Sequence, residues 1–145
     1  MKIPGLHAGA QALPGAAPAS HTRVDAPRWE EAARLVREGG GRLVALWGAD
    51  NRDRDRMFAA CAAFAVRDGL AVIELPISED APAYPDLSGL FPAADRMQRA
   101  AFDLLGIYAQ GASDKRPWIR HGAWREDEFP LRRDFDARAR RENAP

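Results

Sequence analysis

Three histidines, one cysteine and 21 carboxylates are the groups with which this chain could do chemistry. His7, His21 and His121 each lack a His, Cys or carboxylate at metal-ligand spacing. Cys61 sits in the alanine-rich run MFAACAAFAV and reads as a small buried filler. A single thiol can neither close an intrachain disulfide nor hold an iron–sulfur cluster, which takes four thiolates. Ser20, Ser78, Ser88 and Ser113 lack the context of a nucleophile elbow. Gly39-Gly40-Gly41 ends a helix instead of following a strand, so it is not a phosphate loop. Asp50, Asp53 and Asp55 alternate as calcium ligands do, but arginines interleave them and no closing glutamate follows. No residue is assigned a catalytic, cofactor-binding or metal-ligating role.

The residue types that do carry a signal lie near the C-terminus. Trp118, Trp124, Arg116, Arg120, Arg125, Arg132 and Arg133 are large, partly apolar and able to make bidentate bonds, the chemistry that dominates protein interfaces. Two readings stay open: a tail folded back on its own sheet, or a surface for a partner. Nucleic acid is disfavoured as that partner, because 21 basic and 21 acidic residues leave a formal net charge of zero. No apolar run approaches the ~20 residues of a membrane span. Pro4, Gly5, Pro14 and Gly15 break the first residues, which do not read as a signal peptide. A cytoplasmic protein is expected.

The elements that must position this tail are legible in part. At 145 residues, with 46% apolar and 29% charged content, the chain is expected to form one globular core. Residues 1–22, rich in Ala, Gly and Pro, are expected to be a flexible arm without an element of its own. Asp25 and Pro27 open a helix whose apolar stripe is Trp29, Ala32, Ala33 and Val36. Leu43–Trp47 suits a short buried strand. Met57–Val66 has helical propensity but strand alternation, and with Arg67-Asp68-Gly69 and Leu70–Ile77 it is read as strand–turn–strand. Ser78–Pro85 is read as a loop. Pro92–Ile107 is one amphipathic helix, with Met97, Ala100, Ala101, Leu104 and Leu105 as its apolar stripe and Gly106 as its cap. Arg99 and Asp103, four apart, are expected to pair. The predicted fold is α+β: a small, mostly antiparallel sheet flanked by helices over residues 23–110, then an extended partner-binding tail over 111–145.

The helix also resembles a known one. DRMQRAAFDLLGI is similar to the signature helix of the 30 kDa, C-type subunit family of respiratory NADH dehydrogenase, complex I, whose pattern is Glu-Arg-Glu-x-x-Asp-x-x-Gly-Ile. Arg99, Asp103, Gly106 and Ile107 match it, while Gln98 and Ala100 stand where the family has glutamates. Pro130-Leu131-Arg132-Arg133-Asp134-Phe135 resembles the family's Pro-Leu-Arg-Lys-Asp-Phe ending, and Arg116–Trp124 resembles the branch associated with energy-converting nickel–iron hydrogenases of the formate hydrogenlyase type. The resemblance implies a non-catalytic scaffold subunit without a redox cofactor. It would dock onto a large 49 kDa-like or nickel–iron hydrogenase subunit, with other subunits of a membrane-associated redox complex as further partners. The chain would then lie peripheral to the inner membrane through that complex. The alternatives are the N-terminal domain of a hydrogenase large-subunit polypeptide and a free-standing protein-binding module. The interface expected from this resemblance comprises Arg99, Asp103, Trp118, Trp124, Leu131, Arg132, Arg133, Asp134 and Phe135. Leu131 and Phe135 would enter apolar pockets, and Arg132 and Arg133 would meet carboxylates on the large subunit.

Overall fold

The computed structural model describes residues 9–142. In chain order the elements are β1 (Gln11–Ala12), β2 (Ala19–Arg23), α1 (Ala26–Glu38), β3 (Arg42–Asp50), β4 (Met57–Val66), β5 (Gly69–Ser78), β6 (Ala83–Pro85), α2 (Ala94–Leu105), β7 (Tyr108–Gln110) and α3 (Ala137–Glu142). Five strands form one sheet in the order β1-β2-β5-β4-β3, and β6 pairs with β7 in a separate two-stranded ribbon. Within the larger sheet only the β2–β5 pairing is parallel. The α+β reading therefore stands.

The ambiguous run Met57–Val66 is the strand between β3 and β5. Alanine's helix propensity is worth only tenths of a kcal/mol per residue, and burial on both faces overrides it. Phe58, Ala60, Ala62 and Phe64 sit opposite Ile77, Leu75, Ile73 and Ala71 of β5, all of them buried. This face shares one core with Trp29, Ala32, Ala33 and Val36 of α1 and with Ala94, Ala101 and Leu105 of α2. Trp29 is fixed by its indole N–H, which donates to the Pro85 carbonyl at 3.0 Å. Gly48 of β3 lets the end of α2 close onto the sheet, since a Cβ there would meet Leu105 and Ile107 side chains at 2.5 and 2.7 Å.

Three expectations are corrected. Residues 11–12 and 19–22 are not an arm without structure: they pair into the sheet, with Ala19 to Arg23 running parallel to Leu70 to Glu74. No apolar face marks ASHTR, so its strand state comes from the non-local ladder and not from local pattern. His7 and the other residues up to 8 lie outside the described residues. Ser78–Pro85 ends in β6, which needs β7 as its partner. The helix starts at Ala94, two residues after Pro92, and has no side-chain cap. Its buried positions are Ala94, Gln98, Ala101, Asp103 and Leu105, a face rotated from the apolar stripe to include two polar residues. Gly106 does cap it, at φ 75°.

Candidate partner interface

Asp103 lies in the last turn of α2 and is 1% exposed. Its Oδ2 accepts three successive backbone N–H groups, from Trp118 at 2.8 Å, Ile119 at 2.7 Å and Arg120 at 3.0 Å. The Arg120 Nε lies 4.0 Å from the other oxygen. A buried carboxylate demands such donors, and consecutive amides turned to one point supply them. One helical turn earlier, Arg99 takes the preceding carbonyls. Its Nε donates to Arg116 O at 2.8 Å and its Nη2 to Pro117 O at 3.3 Å. Nη1 pairs with Asp95 at 3.0 Å and with Asp114 at 3.3 Å. Arg99 and Asp103 thus do not pair with each other as expected. Asp103 is satisfied by the tail and enclosed beneath the surface.

Residues 116–120 are held by their backbone, and the side chains of Arg116, Trp118 and Ile119 are exposed. Trp118 is 48% exposed and Ile119 lies beside it, also exposed. The guanidinium of Arg96 lies 4.8 Å and that of Arg99 5.2 Å from the Trp118 ring centroid, which keeps this half-exposed indole in place. Farther along, Arg120 donates to the carbonyls of Arg125 at 2.6 Å and Glu128 at 3.2 Å. Trp124 Nε1 donates to that same Glu128 carbonyl at 2.8 Å. Arg120 also lies over the rings of Trp124 and Phe129.

The second matched run returns to the end of α2. The Leu131 N–H donates to Leu104 O at 3.0 Å, and Arg132 Nε to Leu105 O at 2.7 Å. These are helix-terminal carbonyls without intrahelical donors. Arg132 stacks on Phe129 and Phe58, and burial, reinforced by the nearby charge of Arg52, pushes its pKa down from the ordinary value. Gly106 is required here twice. Its φ is positive, and a Cβ would meet Arg132 Nη2 at 2.5 Å. Arg133 donates through its backbone N–H to Asp50 Oδ2 and through Nε to Asp50 O, each at 2.9 Å, and pairs with Asp53 at 3.2 Å. Asp134 pairs with Arg52 at 3.0 Å. Leu131 projects and is 56% exposed, whereas Phe135 is half-buried. The two arginines expected to reach outward thus bond the tail to its own domain, and Leu131 is the apolar residue of this run that is exposed.

The structure gives two residues contacts that sequence reasoning did not assign. Asp50 is buried and grips Arg52 through two short bonds, 2.9 and 2.7 Å. Arg52 and the Arg133 amide hold its carboxyl well below the usual carboxylate range. Asp50, the first of the aspartates that alternate with arginine, is the anchor for residue 133. Gln98 is buried, accepts the Leu87 N–H at 2.9 Å and donates to Asp86 at 2.7 Å. Neither contact has a signal in spacing, because both partners lie eleven or twelve residues upstream in a loop. Among the described residues, no group of three or more His, Cys, Asp or Glu side chains is arranged to hold a metal ion. No helix among them is long and apolar enough to cross a membrane.

Comparison with known proteins agrees with this architecture. Residues 22–141 match the family described as respiratory-chain NADH dehydrogenase, 30 kDa subunit. The chain is 30% identical over 118 residues to the C-type subunit of NADH-quinone oxidoreductase from Phenylobacterium zucineum, covering 76% of this chain and 53% of that protein. It is 28% identical over 103 residues to formate hydrogenlyase subunit 5 of Escherichia coli, covering 69% of this chain and 18% of that protein. It is 34% identical over 73 residues to the C/D-type subunit of NADH-quinone oxidoreductase from Rhodopseudomonas palustris, covering 50% of this chain and 12% of that protein. The chain therefore spans about half the length of one such relative and less than a fifth of the other two. Among solved structures, a chain of the archaeal membrane-bound sulfane sulfur reductase superposes with a TM-score of 0.73 at 21% identity, covering 94% of this chain and 83% of that one. A trypsin-resistant fragment of Nqo5 gives a TM-score of 0.61 at 19% identity, covering 72% and 89%. These two likenesses show a shared fold.

Proposed function

We propose, given that this chain belongs to the respiratory-chain NADH dehydrogenase 30 kDa subunit family, that it is a non-catalytic scaffold subunit of a complex I-like or energy-converting hydrogenase complex. It docks onto the large redox subunit, either the 49 kDa-like or the nickel–iron type. Electrons pass through its neighbours and not through this chain. It sits on the cytoplasmic side, peripheral to the membrane, as part of that complex.

One observation carries the reading. The tail is clamped by its backbone to α2 and β3, through Asp103, Arg99, Arg132 and Arg133, while Trp118, Ile119 and Leu131 are left facing outward. A chain that needed these apolar groups for its own stability would bury them. Holding them rigidly in water instead lowers the ordering cost when a partner covers them. The test is affinity purification of the intact complex through this chain under mild detergent, with its subunits identified by mass spectrometry. Recovery of a large redox subunit in a fixed ratio is expected. A chain recovered alone, or with only soluble non-redox proteins, refutes the reading.

A second reading has its own support. The chain covers only 18% of formate hydrogenlyase subunit 5 and 12% of the C/D-type protein, so a domain like this one forms part of much longer polypeptides there. On that reading the 145 residues are the N-terminal domain of a large-subunit polypeptide. The mass of the species detected in cells by an antibody to this domain separates the two: about 16 kDa for a separate subunit, several-fold more for a fused one.

A further inference from the structure

Beside the Trp118 surface lies a cleft of about 170 Å³ between α2 and the segment that follows β7. Its apolar walls are Phe102, Tyr108, Ala109 and Ala112. Phe102 and Tyr108 are 41% and 45% exposed, although they are large rings adjoining the core. A cavity of about 150 Å³ admits a benzene ring, so this cleft has room for one leucine- or phenylalanine-sized side chain.

The rim has a sign. Its carboxylates are already matched: Asp103 by three amides, and Asp114 by Arg99 and by Arg116 at 2.7 Å. Two cations are not. Lys115 on the rim and Arg96, which lies over the Trp118 ring, have no carboxylate partner among the described residues. In a chain of zero net charge, three cations, Arg99, Lys115 and Arg116, thus line this cleft against two carboxylates, Asp103 and Asp114, an excess of one positive charge. The cleft is also continuous with the exposed indole of Trp118, because Arg99 both lines it and lies over that ring.

We propose that this cleft seats one apolar side chain from an acidic segment of the large redox subunit, with Lys115 pairing with a carboxylate that flanks the inserted side chain. The inference rests on the scaffold reading above and names the chemistry of the partner at one place on it. The inserted group replaces water against Phe102 and Tyr108, and the Lys115 ammonium sets which segment enters.

The intact complex, purified through this chain, tests it. A photo-reactive phenylalanine analogue placed at position 108 should cross-link to a large-subunit peptide with an apolar residue and an Asp or Glu within a few positions. Ala112→Phe, which fills the cleft without changing charge, should weaken retention of the large subunit about tenfold or more. Lys115→Glu lies on an exposed loop and leaves the core untouched; it should slow association about tenfold at low salt, and added salt should narrow the gap to wild type by screening the new repulsion. Reversing the cross-linked carboxylate to lysine should restore association with the Lys115→Glu chain. A cross-link to a second copy of this chain or to a basic peptide overturns the cleft proposal. So does an intact complex with no cross-link, or unchanged retention in both variants, and the scaffold reading survives either result. A wild-type preparation without any large subunit overturns both.

Discussion

Removing the Asp103 carboxylate by Asp103→Ala should release residues 116–120 while leaving the sheet folded. Three N–H groups converge on Oδ2 at 2.7–3.0 Å. A hydrogen bond to a charged acceptor is worth about 1.5–3 kcal/mol, but bonds that share one oxygen do not add. The side chains of Trp118 and Ile119 are exposed, so the freed amides can take water as the segment lifts. That recovers part of the loss and gives a net cost of about 2–4 kcal/mol. At 1.4 kcal/mol per decade, amide exchange at 118–120 should speed up about 30- to 700-fold. Native-state hydrogen exchange is the assay, with β4 as the internal reference because its residues lie in the buried middle of the sheet. Exchange at 118–120 within about threefold of wild type would refute the clamp. Equal acceleration in β4 would refute it differently, by making Asp103 a determinant of global stability and not of the tail. Asp103→Asn keeps one oxygen acceptor without its charge and should fall between the two.

Gln98→Glu would bring a second carboxylate to about 2.7 Å from Asp86, raising the glutamate's folded pKa above its unfolded ~4.3. The variant should lose about 1–3 kcal/mol at pH 7 and recover most of it below about pH 4, as seen by thermal unfolding at the two pH values. Asp50 is the opposite case. Arg52 and the Arg133 amide depress its folded pKa, so its contribution is complete above its unfolded ~3.9 and drains away as pH falls below that value. Arg52→Ala should flatten that acid limb in a pH series of denaturant midpoints; an unchanged limb would count against the network. Burial, with the Glu74 charge adding to it, pushes the Cys61 thiol up to about 12. At pH 8 it should therefore resist iodoacetamide for hours in the native protein and react promptly in denaturant.

Much of the scaffold was legible because its signals are local. The stripe of Trp29, Ala32, Ala33 and Val36 is read at helical spacing, and all four are buried. The hairpin of β4 and β5 follows from alternation on either side of Arg67-Asp68-Gly69, and its register pairs Val66 with Gly69. What escaped depends on partners far along the chain. β2 exists through its parallel ladder with β5, about fifty residues away, and β6 through β7. The buried face of α2 was misread for the same reason. Hydropathy assigns Gln98 and Asp103 to solvent, yet both are buried because a loop and a tail bring matching amides and a carboxylate to them. A polar residue's burial follows from its donors and acceptors, and spacing within one helix carries no information about those.

The two stretches that carried the family resemblance prove to be parts of one device. Arg99, Asp103 and Gly106 each act on the tail: Arg99 binds carbonyls 116 and 117, Asp103 binds amides 118–120, and Gly106 leaves room for Arg132. The downstream run supplies the reciprocal contacts, closing the end of α2 through Leu131 and Arg132 and the end of β3 through Arg133. The matched polar residues therefore bond within the chain, and the proposed interface is built from the apolar groups they leave outside. The expectation that arginines 132 and 133 meet carboxylates of a partner has a rival in these internal bonds. Replacing either should still weaken assembly, but by letting the tail detach: the loss should be accompanied by faster exchange at 131–133, and stapling the tail to α2 should reverse it. A charge contact with the partner would show the loss without the change in exchange.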